Sequence, residues 1–524
     1  MKAKLLKYLS SGLSVGVMLL VGCAGAPAQE AEQPPAMPAE ELPVGSEVLT
    51  AGPVHEAFAK PVAMEAEEPI MVLQQPPANL QEVPPAEQPA GAGIVWVPGY
   101  WAWASDRNDF VWVSGCWRNA PPNTYWVPGH WLQVGNSWEW IGGFWKPISA
   151  QPQQELEYLP PPPAPFDVDA PGAPPQPELI WVPGCWYWQD GHYVRRDGYW
   201  IAQQVGWVWV PSHFAWTPRG YIFVQGHWDH DMDNRGVLFC PAFFPHEVRI
   251  QAGFVYSPGI CVDLGMLRLN LFVYPRYRHY YFGDYYDDSY SRFGIVPWFR
   301  CQTIHTWYDP LFVYDRWHFQ RTDPHWAANL ARGFDQRHSN RDLRPARTFT
   351  ELQVQMTRLP ANRRPERPLV ESVKMYAASQ HTPIKFERIN NAERQQIAMK
   401  ATDVHGLREQ RGQWEAPKPA QHAPEPPRAP EPKSTAKTEP TPALERPSTR
   451  GRPPAFVPAR QVRATEPEKV TVPTLPRTPQ PAQSRYIPKQ PPSHPVQEQS
   501  HVPAKPQAGR ESPPVKNEGR ETLK

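Results

Sequence analysis

Between Ile94 and Cys261 one six-residue pattern returns ten times: an aromatic, an apolar residue, often Pro, then Gly, a variable residue and a second aromatic. Clean copies run from Trp96 to Trp101, Trp112 to Trp117, Trp126 to Trp131, Trp140 to Trp145 and Trp181 to Trp186. Later copies, beginning at Arg195, Trp209, Phe223, Phe239 and Tyr256, keep only part of the pattern. A fixed period with a fixed aromatic column requires one small unit copied along the chain, each copy burying its Trp face against the next.

Leading aromatics are mostly fourteen residues apart, which fits one strand plus a short turn. Val134-Gly135-Asn136-Ser137, Gln189-Asp190-Gly191-His192 and Thr217-Pro218-Arg219-Gly220 read as hairpin turns between β-rich runs. The motif therefore falls in mid-strand. Its two aromatics, five positions apart, would face opposite sides of an ideal strand, and a bulge or kink at the Pro-Gly step would bring them to one side. The Pro-Gly step is not itself the hairpin turn, because primed turns need positive φ where Pro would sit.

The expected fold is mainly β, an antiparallel meander of Trp-rich hairpins at 94–117, 124–145, 179–200, 207–228 and 237–261. The sheet is open or partly closed, with a small C-terminal helical region and long disordered Pro-rich tails. Trp96, Trp101 and Trp103 are expected on one face, as are Trp181, Trp186 and Trp188. The residues expected to build the array are Trp96, Trp101, Trp112, Trp117, Trp126, Trp131, Trp140, Trp145, Trp181, Trp186, Trp209 and Trp228. Gly99, Gly115, Gly129, Gly143, Gly184, Gly198 and Gly226 stand beside them as bulge or close-packing positions.

On these residues the chain resembles the bacterial WXXGXW (YXWGXW) repeat proteins over roughly 94–261. The resemblance implies an envelope-associated repeat protein and no established biochemical activity. The later copies depart from the family pattern, losing Trp at Arg195, Phe223, Phe239 and Tyr256 and Gly at Ser212 and Ala242.

Residues 1–23 read as a lipoprotein signal: Lys2, Lys4 and Lys7, a short apolar run from Leu9 to Val21, and the lipobox Leu20-Val21-Gly22-Cys23. Lipid is expected on Cys23, and Ala24 after it favours the outer membrane or periplasmic face over the inner membrane. The other reading is ordinary secretion, with cleavage after Ala26-Pro27-Ala28.

Composition divides the rest. Residues 24–93 hold eleven Glu and one Lys, a net of −10, with Phe58 the single aromatic, and are expected to be a disordered acidic tether. The repeats then fill 94–150 and 179–261, separated by a Pro-rich linker at 151–178. A Tyr-rich β or irregular segment follows at 262–322, with Leu267, Leu269, Leu271 and Val273 alternating as a strand. Helices are expected over 323–415: one N-capped by Asp323 with Trp326, Leu330 and Phe334 on one face, one opened by a capping box from Thr348 to Glu351, and a polar one from Asn391 to about Gln410. The tail, 416–524, is Pro-rich; from Pro417 onward it carries 18 Lys plus Arg against 10 Glu, a net of +8. It is expected to be disordered, either as a plain solvated low-complexity tail or, as the alternative, in contact with an anionic polymer and with no specific nucleic acid.

No cofactor, metal or catalytic residue is expected. The variable motif position reads Tyr100, Cys116, His130, Phe144, Cys185, Tyr199, His213, His227, Phe243 and Ile260, a mixture that suits a half-buried filler better than a metal ladder. Asp229, Asp231 and Asp233 start like a calcium loop but lack its Gly and closing acid. Of Cys116, Cys185, Cys240, Cys261 and Cys301, in an oxidising compartment Cys116 could pair with Cys185, or Cys240 with Cys261, and one of the five must stay over or pair between chains. The chain thus reads as a non-enzymatic envelope lipoprotein, structural or scaffolding, attached to the membrane through its lipid. The alternative is a polysaccharide- or peptidoglycan-binding module with exposed Trp rings, and burial of those rings separates the two.

Overall fold

A computed structural model describes residues 42–416, apart from 66–69, 149–153, 167, 304–305, 361–364, 366 and 381, together with 468–472. Cys23 and the signal segment lie outside the described residues, as does most of the tail. The chain divides into one unit ending at Pro476 and a second, Arg477–Lys524, which also lies outside them. Among the described residues no helix is long and apolar enough to cross a membrane.

Four hairpins form as the period requires, mainly antiparallel strands with few helices. In the first, Ile94–Val97 pairs with Cys116–Asn119 and Tyr100–Ala104 with Asp109–Val113. Val97 faces Cys116 before the interruption and Tyr100 faces Val113 after it, so Pro98 and Gly99 oppose Ser114 and Gly115 two against two. The same offset is kept across the break at 124–147, 179–202 and 207–230. The strands are therefore kinked, as expected, but no residue is inserted and the phase does not shift. Consequently the two aromatics of a motif are not brought together: Trp96 packs with Trp117, Phe239 and Cys261, whereas Trp101 and Trp103 pack with Phe110 and Trp112. The tip at Asp190 and Gly191 has positive φ at both residues (49° and 79°), the primed turn a two-residue hairpin favours.

The fifth hairpin is only half made. Phe239 bridges Cys261, but Ala242–Phe243 leaves to pair with Trp112 and with Glu47–Val48, and Val255–Tyr256 runs parallel to Gln81–Glu82. Here the copy has lost its Gly at Ala242, and the short helix His246–Arg249 separates the two arms. Hairpins meet through rings rather than through a shared meander ladder. Phe110 stands edge-on to Trp131 at 5.4 Å, and Trp131 Nε1 donates to the Trp101 carbonyl at 2.8 Å.

From residue 42 onward the described part of the segment expected to be a free tether is instead a strap along the repeats and the core. Between residues 47 and 89 six strands of two or three residues each pair with a different element, from Ala242–Phe243 to Phe386–Arg388. A Pro-rich chain cannot build its own core, but its extended backbone can complete the edges of others. Val54, Phe58, Val62, Leu80 and Val83 are buried along it. The linker and the tail also deviate from expectation, since Gln154–Tyr158 pairs antiparallel with Glu468–Val472.

The main core lies mostly outside the repeats, which contribute Val97, Cys116, Trp126, Trp145 and Val208 to it. Leu271–Tyr274, His279–Phe282 and Val296–Pro297 form a small sheet with Gly52–Pro53, and Phe272 packs against Tyr286 and Phe334. Leu267 and Leu269, expected in a strand, lie in a short helix and a 3-10 turn, so that the strand begins at Leu271. Helix Pro310–Gln320 falls within the stretch read as irregular; Asp309 caps it and Pro310 opens it. The next helix, Trp326–Ser339, starts after His325 rather than Asp323, and buries Leu330 and Phe334. Thr348 and Glu351 form the expected capping box of Phe349–Arg358, and Asn390 with Glu393 forms another at the head of Asn391–Glu415.

Candidate functional site

Breaking a ladder at a kink leaves amide and carbonyl groups without partners inside the protein. The motif supplies the first part of the remedy. The leading Trp of each strand lies over the Gly of the opposite strand: a Cβ on Gly129 would sit 2.5 Å from Trp140 Cζ2, on Gly143 2.4 Å from Trp126, and on Gly115 2.5 Å from Trp96. Gly198 under Trp181 and Gly226 under Trp209 repeat the arrangement, and Gly99 lies under Trp112. Gly184 instead meets the Arg196 carbonyl. None of these glycines has positive φ, so the requirement is room for an indole rather than left-handed backbone. The rings then pair across the strands with centroids 5.1–5.5 Å apart, from Trp96 with Trp117 to Trp209 with Trp228. Gly129→Val should accordingly cost roughly 1–3 kcal/mol by overpacking, while Asn136→Ser at an exposed turn should cost little. Equal melting temperatures for the two variants would contradict the ring-over-glycine arrangement.

Charged residues from outside the repeats supply the rest. Glu82 accepts from Gly99 N, Gly115 N and Trp112 Nε1 at 2.8, 3.0 and 2.9 Å, closing both sides of the first kink. Glu56 does the same in the second hairpin, accepting from Gly143 N and Trp140 Nε1 at 2.8 Å and facing His279 at 3.1 Å. On the carbonyl side, Arg408 donates to Gly129 O and Gly99 O at 3.0 and 3.2 Å. Arg411 donates to Pro128 O at 2.6 Å and holds Glu415 at 3.0 Å. In the fourth hairpin Ser212 Oγ, at a position that has lost its Gly, takes Gly226 N at 2.8 Å. Glu56 and Glu82 come from the supposed tether, and Arg408 and Arg411 from the supposed polar appendage. The one local signal for Glu56 was its place in Val54-His55-Glu56-Ala57-Phe58, the only part of the acidic segment that carries an aromatic.

Burial sets the protonation of this spine. It pushes Glu82 up to about 6 despite three donors. It pushes Glu56 up as well, but Lys60 and His279 together hold that carboxyl below the usual range. It holds His55 and His213 down to about 4 and His405 to about 3, and lowers His130 and His227 too. A histidine depressed in the fold contributes stability that is present above its unfolded value near 6.5 and lost as pH falls toward 4. Glu82, and Asp309 at about 7, act oppositely, favouring the fold below their unfolded values and losing that contribution as pH rises through 6 to 7. Asp315 and Glu415, also raised by burial, act with Glu82 and Asp309, but His230 is lowered like the other five histidines, and these six with the depressed Glu56 and Asp229 outnumber the four raised carboxyls. The melting temperature should therefore be lower at about pH 4.5 than at about pH 7; an unchanged or higher value would show the imidazoles to be solvated.

The other sequence candidates resolve differently. Asp229 is clamped by Arg118 at 2.7 Å and Arg235 at 2.9 Å, Asp231 accepts from Tyr314 at 3.1 Å, and Asp233 pairs with Arg268 at 2.9 Å. Asp229 and Asp233 are thus spent on arginines, and Asp231 on Tyr314 and Asn234, rather than on a calcium loop. Cys116, Cys185, Cys240, Cys261 and Cys301 are all free thiols, so neither suggested disulfide is formed. Among the described residues no three His, Cys, Asp or Glu side chains gather as metal ligands. The motif's variable position is deeper than a half-buried filler in the first block, where Tyr100, Cys116, His130 and Phe144 are buried.

Ring burial divides the two repeat blocks. Trp96, Trp101, Trp112, Trp117, Trp126 and Trp145 are buried, while Trp131 and Trp140 are half-buried. Trp181, Trp186, Trp209 and Trp228 are half-buried, and Tyr199 is 47% exposed. Trp186 lies against Phe166 at 5.1 Å, with the Arg195 guanidinium over that ring at 4.5 Å.

The family described as WXXGXW repeat (2 copies) matches residues 91–118, 180–200 and 205–229, so the chain carries WXXGXW repeats within 91–229. No curated protein and no solved structure matches it.

Proposed function

We propose that this repeat-bearing chain is a non-enzymatic cell-envelope lipoprotein, held to the membrane by lipid on Cys23 and serving as a scaffold and interaction body. What supports the scaffold reading is the inward closure of the repeats. Their kinks are completed by the chain's own Glu56, Glu82, Arg408 and Arg411, whose buried charges are satisfied by backbone groups of the repeats. The lipid anchor rests on the Leu20-Val21-Gly22-Cys23 lipobox, and Ala24 points to the outer membrane. Cys23→Ala should move the protein from the membrane to the soluble fraction, and an unchanged membrane fraction would overturn the anchor.

The exposed ring of Tyr199 and the half-buried ring of Trp186, both carried by the hairpin 179–202, favour a second reading, in which the open rings of that hairpin stack on a wall or extracellular polysaccharide. Retention of the protein on a peptidoglycan column, lost in Trp186→Ala, would support that role. The basic tail fits a contact with an anionic envelope polymer.

A further inference from the structure

Between the second and fourth hairpins lies a cleft, open at its mouth, whose wall includes Lys60, Trp140, His213, Trp216, Arg276 and Tyr277. Its floor is built: Glu56 is committed to Trp140 Nε1 and Gly143 N, and Lys60 Nζ is held by the Gly143 carbonyl at 3.2 Å. Three features of the wall have no structural use. Arg276 is exposed, and its guanidinium has no hydrogen-bond or ion-pair partner among the described residues. Half-buried Trp216 has no ring partner among them. His213 donates from Nδ1 to the Pro211 carbonyl at 2.9 Å. A carbonyl can only accept, so the proton is on Nδ1 and Nε2 is left as a bare acceptor, in a ring that burial keeps neutral at pH 7.

The rim adds a backbone signal. Arg278, another residue of the wall, sits at φ 52°, ψ 34°, a left-handed conformation that is strained for a non-glycine residue. Its N–H caps the Pro275–Tyr277 turn through the Pro275 carbonyl at 2.9 Å, and that turn carries Arg276 and Tyr277 into the wall. Strain of this kind persists where surrounding structure enforces it, commonly at binding sites.

We propose that this cleft binds an acidic saccharide, a pyranose ring carrying a carboxylate, with the sugar face on Trp216, a hydroxyl donated to His213 Nε2, and the carboxylate between Lys60 and Arg276. Each part of the wall then has its match: an aromatic plane for the C–H face, an acceptor for a hydroxyl, and cations for the charge. A phosphate group at neutral pH brings few hydrogens to donate and would leave the imidazole acceptor beside it unmatched. The cleft is separate from the Trp186 face and does not depend on the scaffold reading.

Titration calorimetry of the full chain tests this with three probes, a tetramer of 1,4-linked galacturonate, the neutral cellotetraose, and a glycerol phosphate oligomer. The uronate should bind, more weakly at high salt, and the other two should bind at least about tenfold more weakly. Arg276→Gln and Trp216→Ala should each weaken uronate binding about tenfold, with Trp216→Phe retaining most of it, while Trp186→Ala should leave it unchanged. Melting curves identify any variant that fails to fold, and Arg276→Gln, an exposed change, keeps the test open in that case. Absence of uronate binding, or equal binding of either other probe, would overturn the assignment. So would folded Arg276→Gln and Trp216→Ala proteins that retain parental affinity.

Discussion

Trp101→Ala is expected to destabilise the protein by about 3–5 kcal/mol, whereas Trp186→Ala should cost no more than about 1 kcal/mol. The two positions close clean copies of one motif, and from spacing alone both rings belong to a core. In the structure their surroundings differ. Trp101 is 1% exposed, stands edge-on to Trp112 at 5.2 Å, and donates from Nε1 to the Ala78 carbonyl at 2.8 Å. Truncation there removes one of the largest buried side chains and opens a cavity enclosed by Phe110, Trp112 and Phe244, which cannot collapse without moving the strap. Trp186 is half-buried and shares its environment with Phe166 and solvent. Chemical denaturation followed by far-ultraviolet circular dichroism compares the variants, and equal losses at both positions would mean that the two repeat blocks are packed alike.

Arg411→Met should be comparably costly, about 3–5 kcal/mol, because it strands a partner rather than merely removing a contact. Arg411 and Glu415 are both 0% exposed, one helical turn apart on Asn391–Glu415. Without the guanidinium, the Glu415 carboxyl retains Tyr158, whose hydroxyl donates to it at 3.1 Å, but loses its countercharge, and the Pro128 carbonyl loses its donor. The double variant Arg411→Met/Glu415→Met removes both charges together and should recover a large part of the loss, since replacing a buried pair with apolar groups is often close to neutral. A double variant no more stable than Arg411→Met would show that the arginine acts through the kink carbonyls and not through its glutamate.

Both predictions rest on contacts that the repeat pattern does not encode. The motif's own logic was legible, because a glycine opposite each leading Trp is a requirement between neighbours in a ladder whose register the hairpin turn sets. The phase shift inferred at the Pro-Gly step was not borne out, since a kink can be matched two residues against two without inserting one. The helix at Pro310–Gln320 carried the cap-then-proline signature in Asp309-Pro310, so that signal was present and local. Nothing local distinguished Glu56 and Glu82 from the other acids of a Pro- and Glu-rich segment, beyond the apolar neighbours of Glu56. Composition describes how such a segment behaves alone, and here it is not alone.

By itself the sequence determined four of the five hairpins, the kink positions, the turn at Asp190-Gly191 and the capping box at Thr348 and Glu351. All of these depend on backbone geometry over a few residues or on pairing across a short turn. The tertiary structure alone decided which Trp rings are buried, that the acidic segment straps the unit, and which charges close the kinks. Glu82 reaches the Gly99 amide over 17 positions and Arg408 the Gly99 carbonyl over 309. The physical reason is that a carboxylate or guanidinium prefers water until it meets backbone groups already cut off from water. Those groups exist only once the hairpins have kinked and packed, so the destination of each charge is a property of the assembled fold.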